Sequence, residues 1–331
     1  MHIAIIGGGL AGLATAWYLL QDPSIKITLF DPAGIGGGAS GIAAGLLHPY
    51  AGLHSKLNEE GKIAFAEALH LLGIAKEETK SPLMENSGLL RLATTTDSLH
   101  HFKTAASLYS DVDWLTESEC QRQVPNCAKA PGILIKSGYT VYIENYLESL
   151  WNACQKKGAK LERKAINNLT EVDGFDQVVL TLGAATTRLT KEWKLTITPV
   201  KGQLLELKWP EKVPPLKLPL SSSVYIVMRE NNQSCLVGAT YEHDFENESP
   251  NEKVAVASLL PKALDLLPFL KDAPLLSVKA GIRASTPSRK AWLKPLSPRL
   301  WVFAGLGSKG LLYHALLGKR LAGLIKLSPI V

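Results

Sequence analysis

His2-Ile-Ala-Ile-Ile-Gly7-Gly-Gly9-Leu-Ala-Gly12-Leu-Ala-Thr-Ala-Trp-Tyr-Leu-Leu20 and Ile25-Lys-Ile-Thr-Leu-Phe30-Asp31 form the stretch that decides the fold. Apolar runs at His2–Ile6 and Ile25–Phe30 flank a helical pattern at Leu10–Leu20, which predicts strand, helix, strand with parallel pairing. The turn between the first two reads GxGxxG. Gly7 permits a tight turn, Gly9 lets the backbone approach a pyrophosphate, and Gly12 allows the helix to pack closely on the strand. The helix opening at Leu10 and Ala11 aims its N–H groups and the positive end of its dipole at that diphosphate. Asp31 lies 19 residues past Gly12, where an acid bonds the ribose hydroxyls and disfavours the extra phosphate of NADP. The unit identifies a dinucleotide site. By itself it does not separate FAD from NAD.

Further along, a second glycine-rich turn covers Gly34–Gly45, followed by a helical pattern from about Asn58 to Leu72. Residues 76–137 read as mixed and irregular, with short apolar runs at Gly88–Leu92 and Gly132–Ile135. Tyr142–Lys157 reads as an amphipathic helix with Tyr146, Leu147, Leu150 and Ala153 on one side. Strands are expected at Lys160–Ile166 and Gln177–Leu182, then short β runs at Gln203–Leu207, Val224–Arg229 and Cys235–Ala239, with a hairpin turn at Asn231–Asn232. A helix at Glu252–Leu267 is expected to break or bend at Pro261. The chain closes on a strand Leu300–Ala304, a glycine turn Gly305–Gly310 and a helix Leu311–Leu327. With βα units at both ends and in the middle, the fold class expected is α/β. A discontinuous Rossmann-like nucleotide-binding domain takes residues 1–80, 138–200 and 281–331. An inserted antiparallel-β substrate domain takes 81–137 and 201–280.

Composition narrows the function classes. Of 331 residues 46% are hydrophobic and 20% charged, ordinary for a globular protein large enough for one to two domains. No apolar run reaches the roughly 18 residues of a membrane span. No basic segment precedes the first apolar stretch, as a signal peptide would require. A cytoplasmic protein, or the mature form of an organelle protein, is expected. Cys120, Cys127, Cys154 and Cys235 form no CxxC pair, so neither a metal site nor a disulfide framework is expected from them. The net charge of +6 includes clusters at Lys156, Lys157, Lys160, Arg163, Lys164 and at Arg289, Lys290, Lys294, Arg299. These read as solvated faces, with RNA as the alternative partner.

Several segments resemble, in order, the D-amino-acid oxidase/glycine oxidase superfamily of FAD enzymes. They are Gly37-Gly-Ala39-Ser40-Gly-Ile42-Ala43-Ala44-Gly45-Leu46, Val178-Val-Leu-Thr-Leu182-Gly183-Ala, Pro199-Val-Lys-Gly-Gln203, Tyr225-Ile-Val-Met-Arg229 with Leu236-Val-Gly-Ala-Thr240, Gly281-Ile-Arg283, and Gly305-Leu-Gly307-Ser308-Lys309-Gly310-Leu311. Within the superfamily, Phe303–Leu311, Gly281–Thr286 and Leu47-His48-Pro49 look closest to the oxidase module of the bifunctional tRNA 5-methylaminomethyl-2-thiouridine biosynthesis proteins. Their methyltransferase half is not expected, because the sequence starts at the nucleotide strand.

The resemblance implies FAD contacts at Gly7, Gly9, Leu10, Ala11, Gly12 and Asp31, along Ala39, Ser40, Ala43, Ala44, Gly45 and Leu46, at Ile166, Leu182 and Gly183, and over Gly305, Gly307, Ser308, Lys309, Gly310 and Leu311. Ile42 stands where relatives with covalent flavin use a His, and no Cys follows Cys235, so the FAD is expected to be non-covalent. The implied reaction moves a hydride from a C–H beside nitrogen to the flavin, after which the imine hydrolyses. Arg283 is the candidate for a substrate carboxylate, since its planar fork suits bidentate pairing. Tyr225, His48 and Lys309 are further candidates: Tyr225 to close the site, His48 (with Tyr50) to face the flavin, and Lys309 to favour oxygen activation. Arg229 reads as structural. The segment Ser288-Arg-Lys-Ala-Trp292-Leu-Lys294 departs from the family pattern. The expected substrate is a small secondary amine or amino acid. The alternatives are a carboxymethylated wobble uridine in tRNA and a flavin-binding subunit without turnover of its own.

Overall fold

The computed structural model describes residues 1–328, so the last three residues of the expected 281–331 segment lie outside it. In chain order β1 (His2–Ile6), α1 (Leu10–Leu19) and β2 (Lys26–Phe30) lead to β3 (Leu46–Leu47) and α2 (Gly61–Lys76). Next come β4 (Met84–Glu85), β5 (Leu89–Leu92), α3 (Thr96–Leu108), β6 (Val112–Leu115), α4 (Glu117–Gln123), β7 (Gly132–Ile135) and β8 (Tyr139–Val141). Then follow α5 (Ile143–Lys156), β9 (Lys160–Glu162), β10 (Gln177–Leu180), α6 (Thr186–Leu189), β11 (Thr198–Lys208), β12 (Leu220–Ser221), β13 (Tyr225–Met228) and β14 (Ser234–Gly238). The chain closes with α7 (Glu252–Leu266), β15 (Leu275–Ser285), β16 (Trp292–Ser297), β17 (Leu300–Ala304) and α8 (Gly310–Leu327).

A six-stranded sheet runs β16-β17-β10-β1-β2-β9, parallel except at the β16 edge. Its central strands, HIAII and QVVL, are buried almost throughout, as parallel strands covered on both faces must be. One face packs Ile3, Ile5, Leu29, Val179 and Phe303 against α1, α2, α5 and α8. The other packs Ile6, Phe30, Leu180 and Val302 beneath the irregular chain carrying Ile166 and Val172. Helix α5 buries Tyr146, Leu147, Leu150 and Ala153, the side its periodicity predicts.

An eight-stranded mixed sheet runs β15-β11-β14-β13-β12-β5-β7-β6, antiparallel except where β12 joins β5. A small sheet, β3-β8-β4, takes its strands from both sides of β5–β7 in sequence. The long strands β11 and β15 run unbroken through positions 200/201 and 280/281, so they leave the first sheet's segments and become paired floor strands of the second. The expected α/β class is thus observed, with a Rossmann-like, largely parallel sheet beside a second sheet that is antiparallel but for one pair.

Several local readings change. Pro261 does not break α7. It lies on the exposed side, where the helix loses only the hydrogen bond to the Ala257 carbonyl, while Ala255, Leu259, Ala263 and Leu266 stay packed on the sheet. Residues 76–137 hold two helices, each opened by a capping box, at Thr95/Ser98 and Thr116/Glu119. The strand expected to Ile166 stops at Glu162. The departing segment 288–294 is a short turn entering β16: Thr286 Oγ1 donates to the Lys290 carbonyl at 2.7 Å, and Trp292 pairs with Ala304. The Asn231–Asn232 turn is present, with the Asn232 amide donating to the Arg229 carbonyl at 2.9 Å.

Candidate active site

The parallel strands β1, β2, β10 and β17 end on the same side, and the chain leaves them at Gly7, Asp31, Thr181 and Gly305. That edge is where open α/β sheets take their ligands. Gly7 has φ +116°, and a Cβ there would meet the Thr181 carbonyl oxygen at 2.5 Å. A Cβ on Gly12 would drive into the Gly7 carbonyl oxygen. The Thr181 hydroxyl reaches the carbonyls of Ile6 at 3.0 Å and Gly7 at 2.9 Å, which locks the turn against β10.

Asp31 does more than its spacing suggested. One carboxylate oxygen accepts from the Gly8 amide at 2.8 Å and the other from the Ala33 amide at 3.0 Å, tying the first turn to the second. Each oxygen keeps acceptor capacity for a ribose hydroxyl. Ser40 ties the same two turns: its Oγ accepts from the Leu10 amide at 3.1 Å and stands 2.8 Å from where a Gly9 Cβ would lie. Helices α1 and α8 carry no N-cap side-chain bond and no acid in the first turn, so apart from the Leu10 N–H held by Ser40 their leading N–H groups and positive dipole ends are open to an anion. Gly310, at the start of α8, lies against the Leu10 side chain, which brings the two helix N-termini together.

The second turn continues through half-buried Ala39, Ala43 and Ala44 to Gly45, whose carbonyl accepts from the Val141 amide at 2.8 Å, and to Leu46, paired with Thr140. Leu182 and half-exposed Gly183 follow β10 on the other side of Gly7. Ile166 is buried in the cluster with Phe30, and its backbone N–H and C=O have no intramolecular partner among the described residues. Gly305 lies under the Thr286 methyl group, and Gly307, Ser308 and Lys309 make the short turn that opens α8. Lys309 is half-exposed and meets no carboxylate among the described residues. This glycine cradle, with two uncapped helix ends and an acid at the second strand, fits a dinucleotide diphosphate.

The floor comes from the second sheet. Arg91 pairs with Ser221, Ser221 with Tyr225, and Tyr225 with Gly238, while Gly202 pairs with Gly281. Strand alternation puts these residues and Arg283 on one face, and Leu90, Leu220, Ile226, Val237 and Leu205 on the other, under α7. The three glycines clear the middle of the first face. The Arg283 guanidinium lies across Gly202, the Tyr225 ring lies across Gly238, and Gly281 rests on Ile42 and Ala39 of the second turn. Arg283 Nη1 donates to the Thr240 carbonyl at 3.3 Å, its Cζ stands 5.9 Å from the Tyr241 ring, and no carboxylate pairs with it among the described residues. Burial pushes the Tyr225 hydroxyl up to about 12 against the opposing pull of the Arg283 charge, so it is a phenol that can donate.

His48 is placed differently from the other candidates. It is buried, its Nδ1 has no partner, and burial together with the neighbouring Arg91 charge holds its pKa down at about 3. It is therefore a neutral ring at ordinary pH and a poor acid or base. Tyr50, bonded to Asp111 and packed on Tyr109, is part of the core. Arg229 is structural as expected, bridging to Glu144 at 3.1 Å. Sequence reasoning missed Gly202 and Gly238 as site formers, although an isolated glycine inside a strand signals close approach of another group. It also missed Thr181 and Arg91.

A family model described as FAD dependent oxidoreductase matches residues 2–324. The chain is 25% identical over 355 residues to the glycine oxidase of Geobacillus kaustophilus, covering 98% of this chain and 92% of that protein. The crystal structure of glycine oxidase from the same organism superposes with a TM-score of 0.86 at 26% identity, covering 99% of this chain and 95% of that one. The tRNA 5-methylaminomethyl-2-thiouridine biosynthesis bifunctional protein of Thiobacillus denitrificans is 26% identical over 377 residues, 99% of this chain and 57% of its own. With the glycine cradle at the strand ends and a family model spanning nearly its whole length, the chain belongs to the DAO family of FAD-dependent oxidoreductases.

Proposed function

We propose that the protein oxidises the C–N bond of a small secondary amine or amino acid whose carboxylate is held by Arg283. In this reading residues 1–80, 138–200 and 281–331 carry the cofactor, with Arg283 reaching the substrate from the edge of the last segment, and 81–137 with 201–280 carry the rest of the substrate site. The single observation behind it is the Arg283 guanidinium. It lies without a carboxylate partner over Gly202, on the sheet face that also carries Tyr225 and meets the second glycine turn at Gly281. A half-buried cation in that position is stabilised by an incoming carboxylate. Tyr225, a donor at any pH below about 12, adds a hydrogen bond to the same group.

FAD, when bound, supplies the hydride acceptor. The chain's residues bind and orient. Arg283 and Tyr225 fix the acid end of the substrate, and the open N-terminus of α8 favours negative charge at the flavin edge. His48, held neutral by burial and the neighbouring Arg91 charge, is a weak base, and no side-chain base is required where the amine binds in its neutral form. Non-covalent FAD is supported by Ile42 in the second turn and by the burial of all four free cysteines in packed cores. The free thiols also suit a reducing, cytoplasmic setting.

A carboxymethylated uridine in tRNA would present the same carboxylate and amine, and a related bifunctional tRNA-biosynthesis protein favours that second reading. Part of the charge of the basic clusters is engaged within the chain, which weighs against it. Lys156 pairs with Glu78 at 2.7 Å, Lys164 with Glu171 at 2.9 Å and Lys290 with Glu59 at 2.8 Å, and Arg299 caps the carbonyls of Asp173 and Phe175. Anaerobic mixing of the yellow holoprotein with glycine, sarcosine or total tRNA tests the proposal. Bleaching of the flavin band by a small amine is expected. Bleaching by tRNA alone would move the substrate to RNA, and bleaching by none would leave a flavin-binding subunit.

A further inference from the structure

We infer that His54, Asp97 and His101 form a binding site for one late-transition divalent cation of the zinc type, which clips the 51–57 segment onto α3. The site uses none of the residues assigned to the cofactor cradle or to the substrate. One ligand atom from each residue lies within 4.8 Å of the others. His54 Nε2 stands 3.3 Å from Asp97 Oδ2, and His101 Nε2 stands 3.4 Å from Asp97 Oδ1. Both are longer than a good N–H···O bond. Each ring nitrogen faces a different oxygen of the one carboxylate, and each distance is close to the separation of about 3.4 Å between neighbouring ligand atoms on a tetrahedral ion with bonds of about 2.1 Å, so a carboxylate that shares the ion through both oxygens, or turns to present one, serves both imidazoles.

The three side chains are presented by independent, rigid supports. Asp97 and His101 are four residues apart on one face of α3, whose first turn is closed by the Thr95/Ser98 capping box. His54 comes from the segment after the second glycine turn, and that segment is pinned from inside. Buried Arg91 donates to the Gly52 carbonyl at 2.8 Å, the Ser55 hydroxyl at 2.6 Å and the Leu53 carbonyl at 3.3 Å, on both sides of His54. Two imidazoles and a carboxylate select zinc, cobalt, nickel or copper over magnesium and calcium, and three protein ligands leave room for water.

The experiment uses FAD-loaded protein stripped with EDTA and titrated with zinc chloride by calorimetry, then with cobalt(II) by absorption. One ion per chain at micromolar or tighter affinity is expected, with slower proteolysis of the 51–57 segment when zinc is present. His54→Ala and His101→Ala should each weaken binding at least tenfold. His100→Ala, which alters the neighbouring exposed ring, should not. Asp97→Asn preserves the side chain's shape while removing its charge and should behave like the histidine variants, with retained flavin absorbance reporting an intact fold. Failure of the wild type to bind zinc at millimolar concentration would overturn the inference. So would undiminished affinity in His54→Ala.

Discussion

At Arg283 charge and shape can be separated by substitution. Arg283→Gln keeps a planar donor but removes the charge, and a lost charge-assisted pair costs about 3 kcal/mol. Roughly a hundredfold rise in KM for a carboxylate-bearing amine is expected in steady-state assays, with the flavin spectrum unchanged. Arg283→Lys keeps the charge without the fork and should fall between. A second residue-scale effect concerns buried histidines. His314 Nδ1 donates to the Leu311 carbonyl at 3.0 Å, its Nε2 accepts from the Tyr146 hydroxyl at 2.6 Å, and burial lowers its pKa to about 4. Between its unfolded value near 6.5 and about 4, the unfolded chain takes up a proton that the folded one refuses. Stability is therefore complete above pH 6.5 and lost as pH falls toward 4, by at most about 3 kcal/mol for this group. His48 extends the loss toward pH 3. Urea midpoints measured from pH 7 to pH 4.5 should fall steadily, and less steeply in His314→Gln. Neither effect is visible in sequence, where a histidine in a helix carries no record of its burial.

At the scale of elements, identical substitutions should have different consequences depending on what they strike. In Gly12→Ala the new methyl meets the Gly7 carbonyl oxygen, a backbone atom held by Thr181, so the turn between β1 and α1 must open. A colourless protein unable to retain FAD is expected from its absorption spectrum. In Gly202→Ala the methyl meets the far end of the Arg283 side chain, which can swing away. That variant should stay yellow and lose substrate affinity about tenfold, the scale of a displaced charged contact. In α7, Pro261→Ala restores a hydrogen bond on the solvent side and should stabilise the protein by about 1 kcal/mol in urea unfolding. Elements with a strong period or cap were legible: β1, α1, β2, α5 and the turn at Asn232. The break allowed for at Pro261 does not occur, because a local propensity says nothing of the packed face opposite it. The boxes at Thr95 and Thr116 carried a legible signal within a stretch that otherwise lacked one. Strand β16 carried none, because an edge strand with an exposed Lys294 and Pro295 has no clean alternation.

For the whole molecule, the cofactor cleft depends on how the chain's two ends meet. Helices α1 and α8 cross at Gly318, where an added Cβ would stand 2.8 Å from the Ala14 Cβ and 3.1 Å from the Thr15 amide nitrogen. Gly318→Val should force the helices apart, lower the melting temperature and weaken FAD binding at both uncapped helix ends, read by thermal release of flavin fluorescence. The two sheets are joined by Glu144 at the start of α5, which pairs with Arg229 at 3.1 Å and Lys279 at 3.0 Å. From sequence alone followed the nucleotide strand, its glycine turn, the acid at Asp31 and, by resemblance, the flavin and the candidacy of Arg283. These are local patterns, and spacing along the chain carries them. Tertiary structure alone decided that Asp31 and Ser40 stitch the two turns together, that Gly202 and Gly238 form the floor, that His48 is sealed beside Arg91, and that His54 meets Asp97 and His101. Each depends on which strand pairs with which and on what is buried. Those properties belong to contacts between residues far apart in sequence, and no single segment encodes them.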